Sequence, residues 1–367
     1  MKNILYVLLI LSLLTVSCQD DLTSNEPKDS HSISVIINDI PFKTEKYIRI
    51  GYTLKMWEYE KQGLKLQKIK IIDADTKVEL MSIDSSEIVM IYKNPLPTNP
   101  YFQLDSISSY YTSIQLKIPL GQALPTKVSH IIYFRDTINN KVLSFEGGTF
   151  SPRKNETPIS ISSPVKDNNW LFINQSTLGY HFYTLFFVNG SIGTGERYAF
   201  DNIQIDEQGE HFNGDPTVNE SYYNYKDTLF AVANGTVKSI KDGRPENAGS
   251  SKNITFSNED ELAGNYLILD IGNSHYAFYA HCVPGSFMVK PGDVITEGTP
   301  IALLGNSGNS DCPHLHFQIC DSPNLFETNG LPFVLKKYNK IGDYPIFNSQ
   351  PVEITNSMME EYTIISF

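Results

Sequence analysis

The sequence predicts an all-β protein in two parts, and three observations carry that expectation. Tyr and Phe are abundant, at 21 and 20 residues, beside many Thr, Ile and Val, the types that suit a pleated, half-buried surface. Short apolar runs recur along the chain, separated by Gly, Pro, Asn and Asp turn signals. No stretch carries the 3.6-residue periodicity of a long amphipathic helix. At 367 residues the chain is too long for one ordinary core and suits two domains. Its 41% hydrophobic and 19% charged residues are the profile of a folded globular protein. A formal net charge of -12 repels polyanions overall, so nucleic acid is not the expected partner.

The first 18 residues read as a targeting signal. Lys2 supplies the charge, and residues 4–14 form an apolar run too short to serve comfortably as a permanent membrane helix. Thr15-Val16-Ser17-Cys18 follows and resembles a lipobox. That resemblance implies cleavage before Cys18, lipidation of its thiol, attachment to a membrane, and a place in the cell envelope at the periplasmic face or the cell surface. A plain secretory signal with a chance cysteine is the other reading. Residues 19–30, polar from Gln19-Asp20-Asp21 onward, read as a tether.

Residues 31–160 contain strand-like runs at 34–37, 47–57, 66–72, 113–118 and 130–134. Turn signals such as Asn94-Pro95-Leu96-Pro97 and Asn139-Asn140 divide them. Strands at this spacing predict an Ig-like β-sandwich. His31 and His130 stand alone here and are read as structural. Residues 151–167, rich in Ser, Pro and Lys, read as a linker. A second strand-and-turn domain is expected over 165–345, with 346–367 as a C-terminal tail. Cys282, Cys312 and Cys320 allow one disulfide in an oxidising compartment, or burial as small apolar residues.

The sharpest chemical signal is His314-Leu315-His316. Residues two apart on a strand face the same side, so two imidazoles converge. The turn at residues 305–310 delivers that strand. A further histidine, His281, ends Tyr276-Ala277-Phe278-Tyr279-Ala280-His281, and Asp201 ends Arg197-Tyr198-Ala199-Phe200-Asp201. One carboxylate with two imidazoles is a usual ligand set for catalytic zinc.

The order of these pieces resembles the lysostaphin/LytM-type zinc metallopeptidases. The matching stretches are Phe230-Ala231-Val232-Ala233-Asn234-Gly235-Thr236-Val237, Tyr279-Ala280-His281, Val289-Lys290-Pro291-Gly292-Asp293-Val294, and Gly305-Asn306-Ser307-Gly308 leading to Pro313-His314-Leu315-His316-Phe317. The resemblance implies an antiparallel β-sheet under a groove, with one Zn2+ per chain. Asp201 and His316 would be ligands, and His281 and His314 would polarise the attacking water and the scissile carbonyl.

One position departs from the family pattern of His-x-x-x-Asp: Arg197 stands where that histidine belongs, and a guanidinium cannot ligate zinc. His211 opens a literal His-Phe-Asn-Gly-Asp215 but lies in a polar segment that reads as an insertion. His181 is the better third ligand. If the runs at 182–188 and 198–205 pair around Asn189-Gly190, His181 falls opposite Arg197. Arg197 could then hold Asp201 or a substrate carboxylate, while Tyr198 packs.

The resemblance implies a zinc metalloendopeptidase acting on peptidoglycan cross-links. The other readings are a zinc-free relative that binds or regulates wall hydrolases, and a peptidase whose substrate is a secreted protein.

Overall fold

The strand Tyr47–Trp57 is buried on both faces, unlike a strand of an ordinary sandwich with one solvated face. Its residues Ile50, Tyr52, Leu54 and Met56 enter an apolar core, as the period of two requires. The alternate residues Arg49, Gly51 and Thr53 are buried as well. Its full-length partner Ser109–Pro119 repeats the pattern, with Ile114, Leu116 and Ile118 in the core and Ser113 and Gln115 buried on the other side. A sheet buried on both faces has a neighbour on both faces.

The neighbour on the apolar side is the sheet formed by Leu64–Asp73, Glu79–Asp84, Val128–Asp136 and Lys141–Phe150. It supplies Leu64, Leu66, Ile69, Ile71, Ile132 and Phe134 to the same core. Two four-stranded sheets around one core make the expected β-sandwich. His130 has a structural place in it. Its Nε2 lies 2.8 Å from the Tyr52 hydroxyl and its Nδ1 3.3 Å from the Gly147 carbonyl. Burial lowers its pKa to about 4.

This architecture comes from a computed structural model describing residues 32–93, 109–174, 179–188, 191–250 and 261–367. The lipobox with Cys18, His31, and the turns at 94–97 and 189–190 lie outside the described residues. Among the described residues the protein is all-β, its helical content being three short 3-10 turns: Tyr59–Gln62, Tyr180–Tyr183 and Asn219–Ser221.

On the polar side of the sandwich lies an eleven-stranded sheet. Its order runs Val294–Ile295, Gly235–Lys241, Tyr266–Asp270, Tyr276–Ala280, Leu315–Cys320, Phe200–Gln204, Trp170–Ile173, Thr363–Ser366, Phe333–Asp343 and Ile346–Ser357. Ile159–Ile161 joins in parallel with Phe333–Asp343. Two expectations change here. Residues 346–367 are no tail: they contribute two strands, with Met358, Met359 and Ile365 in the main core. Residues 151–167 do not merely link, since Ile161 and Val165 are fully buried. The apolar spacing of Met358, Met359 and Ile364-Ile365 is too short to distinguish a sheet strand from a loop without its partners.

Candidate metal centre and groove

The strand Leu315–Cys320 lies between Tyr276–Ala280 and Phe200–Gln204. Leu315, Phe317 and Ile319 face the core. The opposite face therefore carries His316 and Gln318, with His314 immediately before the strand. In register, Asp201 and Ala280 flank His316 on either side. Directly opposed residues on one face hold their Cβ atoms about 5 Å apart, which is how Asp201 meets a histidine 115 residues later: its Oδ1 lies 3.0 Å from His316 Nδ1.

His281 follows the last residue of Tyr276–Ala280 and adopts a left-handed φ of 64°. That conformation is costly for a residue with a Cβ. Its Nδ1–H donates to the Ser307 carbonyl at 2.7 Å. The turn carrying Ser307 presses on Gly264, where a Cβ would lie 2.4 Å from the Ser307 oxygen. Gly308 in turn leaves room for the Gly264 amide, so the close approach requires glycine on both sides. His314 is held in the same way: its Nδ1–H donates to the Cys312 carbonyl at 2.8 Å, with Ser310 Oγ 3.1 Å away. With Nδ1 as the donor, Nε2 of both rings carries the free lone pair. The two ring centroids are 4.7 Å apart.

His181 sits on the 3-10 turn Tyr180–Tyr183. Its Nε2 is 3.7 Å from Asp201 Oδ2, and its ring meets that of His316 edge-on at 4.9 Å. The donor atoms of His181, Asp201 and His316 all lie within 4.8 Å of one another. The expected route to this position is wrong. The hairpin pairs only Phe186–Val188 with Ser191–Gly193, and Phe200–Gln204 belongs to the large sheet. His181 is thus not a cross-strand neighbour of Arg197. Arg197 holds neither Asp201 nor a groove ligand; its guanidinium is buried against Asp39, Thr53 and Ser113 of the sandwich. Tyr198 does pack, against Phe42, and also donates its hydroxyl to Asp39. His211 meets Phe212 edge-on and Tyr222 at a tilt, and does not join the cluster.

The electrostatics follow from these contacts. Burial alone would raise the Asp201 carboxyl, but the nearby His181, His314 and His316 hold it well below the usual carboxylate range. Burial opposes charge on His316, yet the Asp201 hydrogen bond and charge raise it to about 9. Gln318 Oε1 accepts the proton on its Nε2 at 2.9 Å. Burial, followed by the rings of His314 and His316, keeps His281 well below an ordinary imidazole. All four histidines line one groove of about 340 Å³, with Asn174, Glu196 and Asp311 among its polar residues and Phe278, Leu325 and Phe326 among its apolar ones. Among the described residues no Lys or Arg lines it.

Asn174 and Gln318 were not singled out in the sequence. Asn174 Nδ2 donates to Asp201 Oδ2 at 2.9 Å, from a chain position with no motif around it. Gln318 was within reach, because it continues the two-residue period of His314 and His316. The three cysteines are free, with Cys282 and Cys320 buried and Cys312 partly so.

An all-β chain with a buried carboxylate and four imidazoles on the floor of a groove belongs to the class of proteins equipped for metal-assisted or acid–base chemistry. Residues 224–327 match Peptidase family M23, and the chain carries a domain of that family. The match includes His281, His314 and His316, whereas His181 and Asp201 precede it. Among curated relatives, Peptidoglycan DD-endopeptidase ShyA of Vibrio cholerae is 30% identical over 89 residues, which is 24% of this chain and 20% of the relative. Peptidoglycan DD-endopeptidase ShyB of the same organism is 30% identical over 86 residues, 23% of this chain and 20% of the relative. The chain thus spans about a fifth of the length of either. Among solved structures, the catalytic domain of lysostaphin from Staphylococcus simulans is 28% identical, covering 33% of this chain and 86% of that one, with a TM-score of 0.17.

Proposed function

We propose that this protein is a zinc-dependent endopeptidase acting on the peptide cross-links of peptidoglycan. The observation that carries the reading is the triad His181, Asp201 and His316 at the groove floor. Its chemistry suits zinc, which takes imidazole and carboxylate donors at about 2.0–2.2 Å. Donors at that radius in a tetrahedron stand about 3.4 Å from one another. The observed separations of 3.0 Å for His316 to Asp201 and 3.7 Å for His181 to Asp201 bracket that figure. Zinc bound there supplies Lewis-acid chemistry, making water nucleophilic near neutral pH and polarising a carbonyl.

The remaining residues act as follows. His281 and His314 each keep Nδ1–H tied to a backbone carbonyl, so each offers Nε2 to the groove. One of them accepts the proton of the attacking water as general base. That ring, once protonated at Nε2, donates to the oxygen on which negative charge develops. Asn174 and Gln318 fix the orientation of Asp201 and His316. The apolar wall of Phe278, Leu325 and Phe326 covers the substrate backbone and lowers the local dielectric. The names of the two Vibrio relatives support peptidoglycan as the substrate. Lipidation at Cys18 would hold the enzyme at a membrane of the cell envelope, beside that wall.

The test is bound zinc and wall digestion in a protein of residues 19–367. Near one zinc per chain and release of cross-link fragments are expected, both lost in His181→Ala. A protein that takes up no added zinc would rule out the enzyme and leave a binding or regulatory role.

A further inference from the structure

We infer that the N-terminal sandwich holds His181 in place, and that Arg197 is the positioning residue through which it does so. The consequence for metal binding rests on the reading of the triad as a zinc site.

The 3-10 turn bearing His181 is four residues long, and its N-cap Gly179 has no side chain to cap it. A single such turn has little intrinsic stability. Its place must come from its surroundings: the Tyr92 hydroxyl of the sandwich donates to the Tyr183 carbonyl at 3.3 Å at the end of the turn, and at His181 itself the holding contact is packing. Phe182, the next residue, is 1% exposed. The Arg197 guanidinium stands over its ring at 5.5 Å, and the Tyr198 ring lies edge-on to it at 6.2 Å.

Arg197 is in turn held by the sandwich. Its Nη1 donates to Asp39 Oδ2 at 2.8 Å, and its Nη2 to Ser113 Oγ at 3.1 Å and to Thr53 Oγ1. Thr53 and Ser113 are register partners on adjacent strands, which puts both hydroxyls on one face. Asp39 is fixed by its own amide, bonded to the Gly51 carbonyl at 3.0 Å. The same carboxylate oxygen accepts the Tyr198 hydroxyl at 2.8 Å. Gly51 completes the contact, because a Cβ there would lie 2.2 Å from the Tyr198 oxygen and 3.2 Å from the Phe182 ring.

The chain of contacts therefore runs from three sandwich residues, through one buried cation, to the ring beside His181. A buried guanidinium is tolerated only with its partners in place, so the sandwich and the turn are coupled. The sandwich is in this sense part of the site rather than a spacer. Arg197 itself is not among the residues that line the groove.

Two variants test it: Asp39→Asn, and the milder Thr53→Val with Ser113→Ala, which leaves the Asp39 pair intact should the first fail to fold. The readouts are the histidine side-chain NMR resonances of the metal-free protein, zinc affinity by chelator competition, and thermal unfolding. The expected result in folded variants is that the His181 resonances move while those of His281 stay, and that zinc binds 10–100-fold more weakly, as when an orienting partner is removed. Unchanged His181 resonances with unchanged zinc affinity overturn the inference, even if the melting temperature falls. A wild-type protein that binds no zinc, but whose His181 resonances respond, keeps the coupling and discards the metal reading.

Discussion

Gly264→Ala separates the two halves of the site. Gly264 has a φ of 65°, and an added Cβ would lie 2.4 Å from the Ser307 carbonyl oxygen, 2.5 Å from its carbon and 2.6 Å from its hydroxyl. A left-handed conformation costs an alanine about 1–2 kcal/mol. Overpacking against backbone, which cannot swing aside as a side chain can, adds about 1–3 kcal/mol. The expected loss is thus about 2–5 kcal/mol, read as a lower urea midpoint with an unchanged slope. The relief of the clash has a direction. Ser307 must move, and its carbonyl is the acceptor that orients His281 through Nδ1. A displacement near 1 Å can cost about 100-fold in turnover. The triad His181, Asp201 and His316 sits on other elements, so the proposed zinc site should be undisturbed. The variant should therefore bind zinc as the wild type does while cleaving cross-linked peptide 10–100-fold more slowly, a range taken from that positional sensitivity. Wild-type turnover at the predicted stability loss would refute the role given to the Ser307–His281 bond. A stability loss under about 0.5 kcal/mol, the scale of ordinary surface substitutions, would refute the packing argument itself.

Other outcomes follow from the same contacts. Gln318→Leu removes the acceptor on His316 Nε2 and should weaken zinc about 10–100-fold in a chelator titration, without unfolding the chain. His130 is buried as the neutral ring with a pKa near 4, while the unfolded chain titrates near 6.5. Its contribution to stability is therefore complete above pH 6.5 and is lost as the pH falls to 4, by about 3 kcal/mol. Urea midpoints across that range should show a smaller loss in His130→Gln than in wild type, the difference being about 3 kcal/mol. Burial pushes the thiols of Cys312 and Cys320 up to about 12 and raises Cys282 further. A thiol reagent at neutral pH should label the three slowly in the native protein of residues 19–367 and fully after denaturation, with no prior need for reductant.

Several features were legible in the chain alone because their causes are local. The alternation of apolar and polar residues gave the strands, and their number and spacing gave a sandwich followed by a second sheet. The two-residue period put His314 and His316 on one face before any partner was known. Asp201 and His281 stood out as chemistry-bearing groups at the ends of apolar runs. The Gly-rich turn before His314 was recognisable too, although its close packing on Gly264 was not.

What failed were inferences that needed a partner distant in sequence. The hairpin expected to carry His181 toward Arg197 was built on a turn signal, and turn signals say where a chain reverses but not which strand it joins. The strand Phe200–Gln204 pairs with Trp170–Ile173 and Leu315–Cys320 instead. Residues 346–367 gave no sign of belonging to a sheet until Phe333–Asp343 was beside them. Arg197 departs from the expected histidine for a reason invisible in its own segment: its three partners lie 158, 144 and 84 residues away, in the other half of the chain. The sequence by itself determined the strands, the face shared by the paired histidines, and the kind of chemistry their side chains can perform. Only the tertiary structure showed by what route His181, already favoured in the sequence, comes to lie beside Asp201 and His316, and why an arginine stands nearby. Periodicity is set by neighbours two residues apart, whereas a buried ion pair or a shared metal site is set by whatever the rest of the fold brings to it.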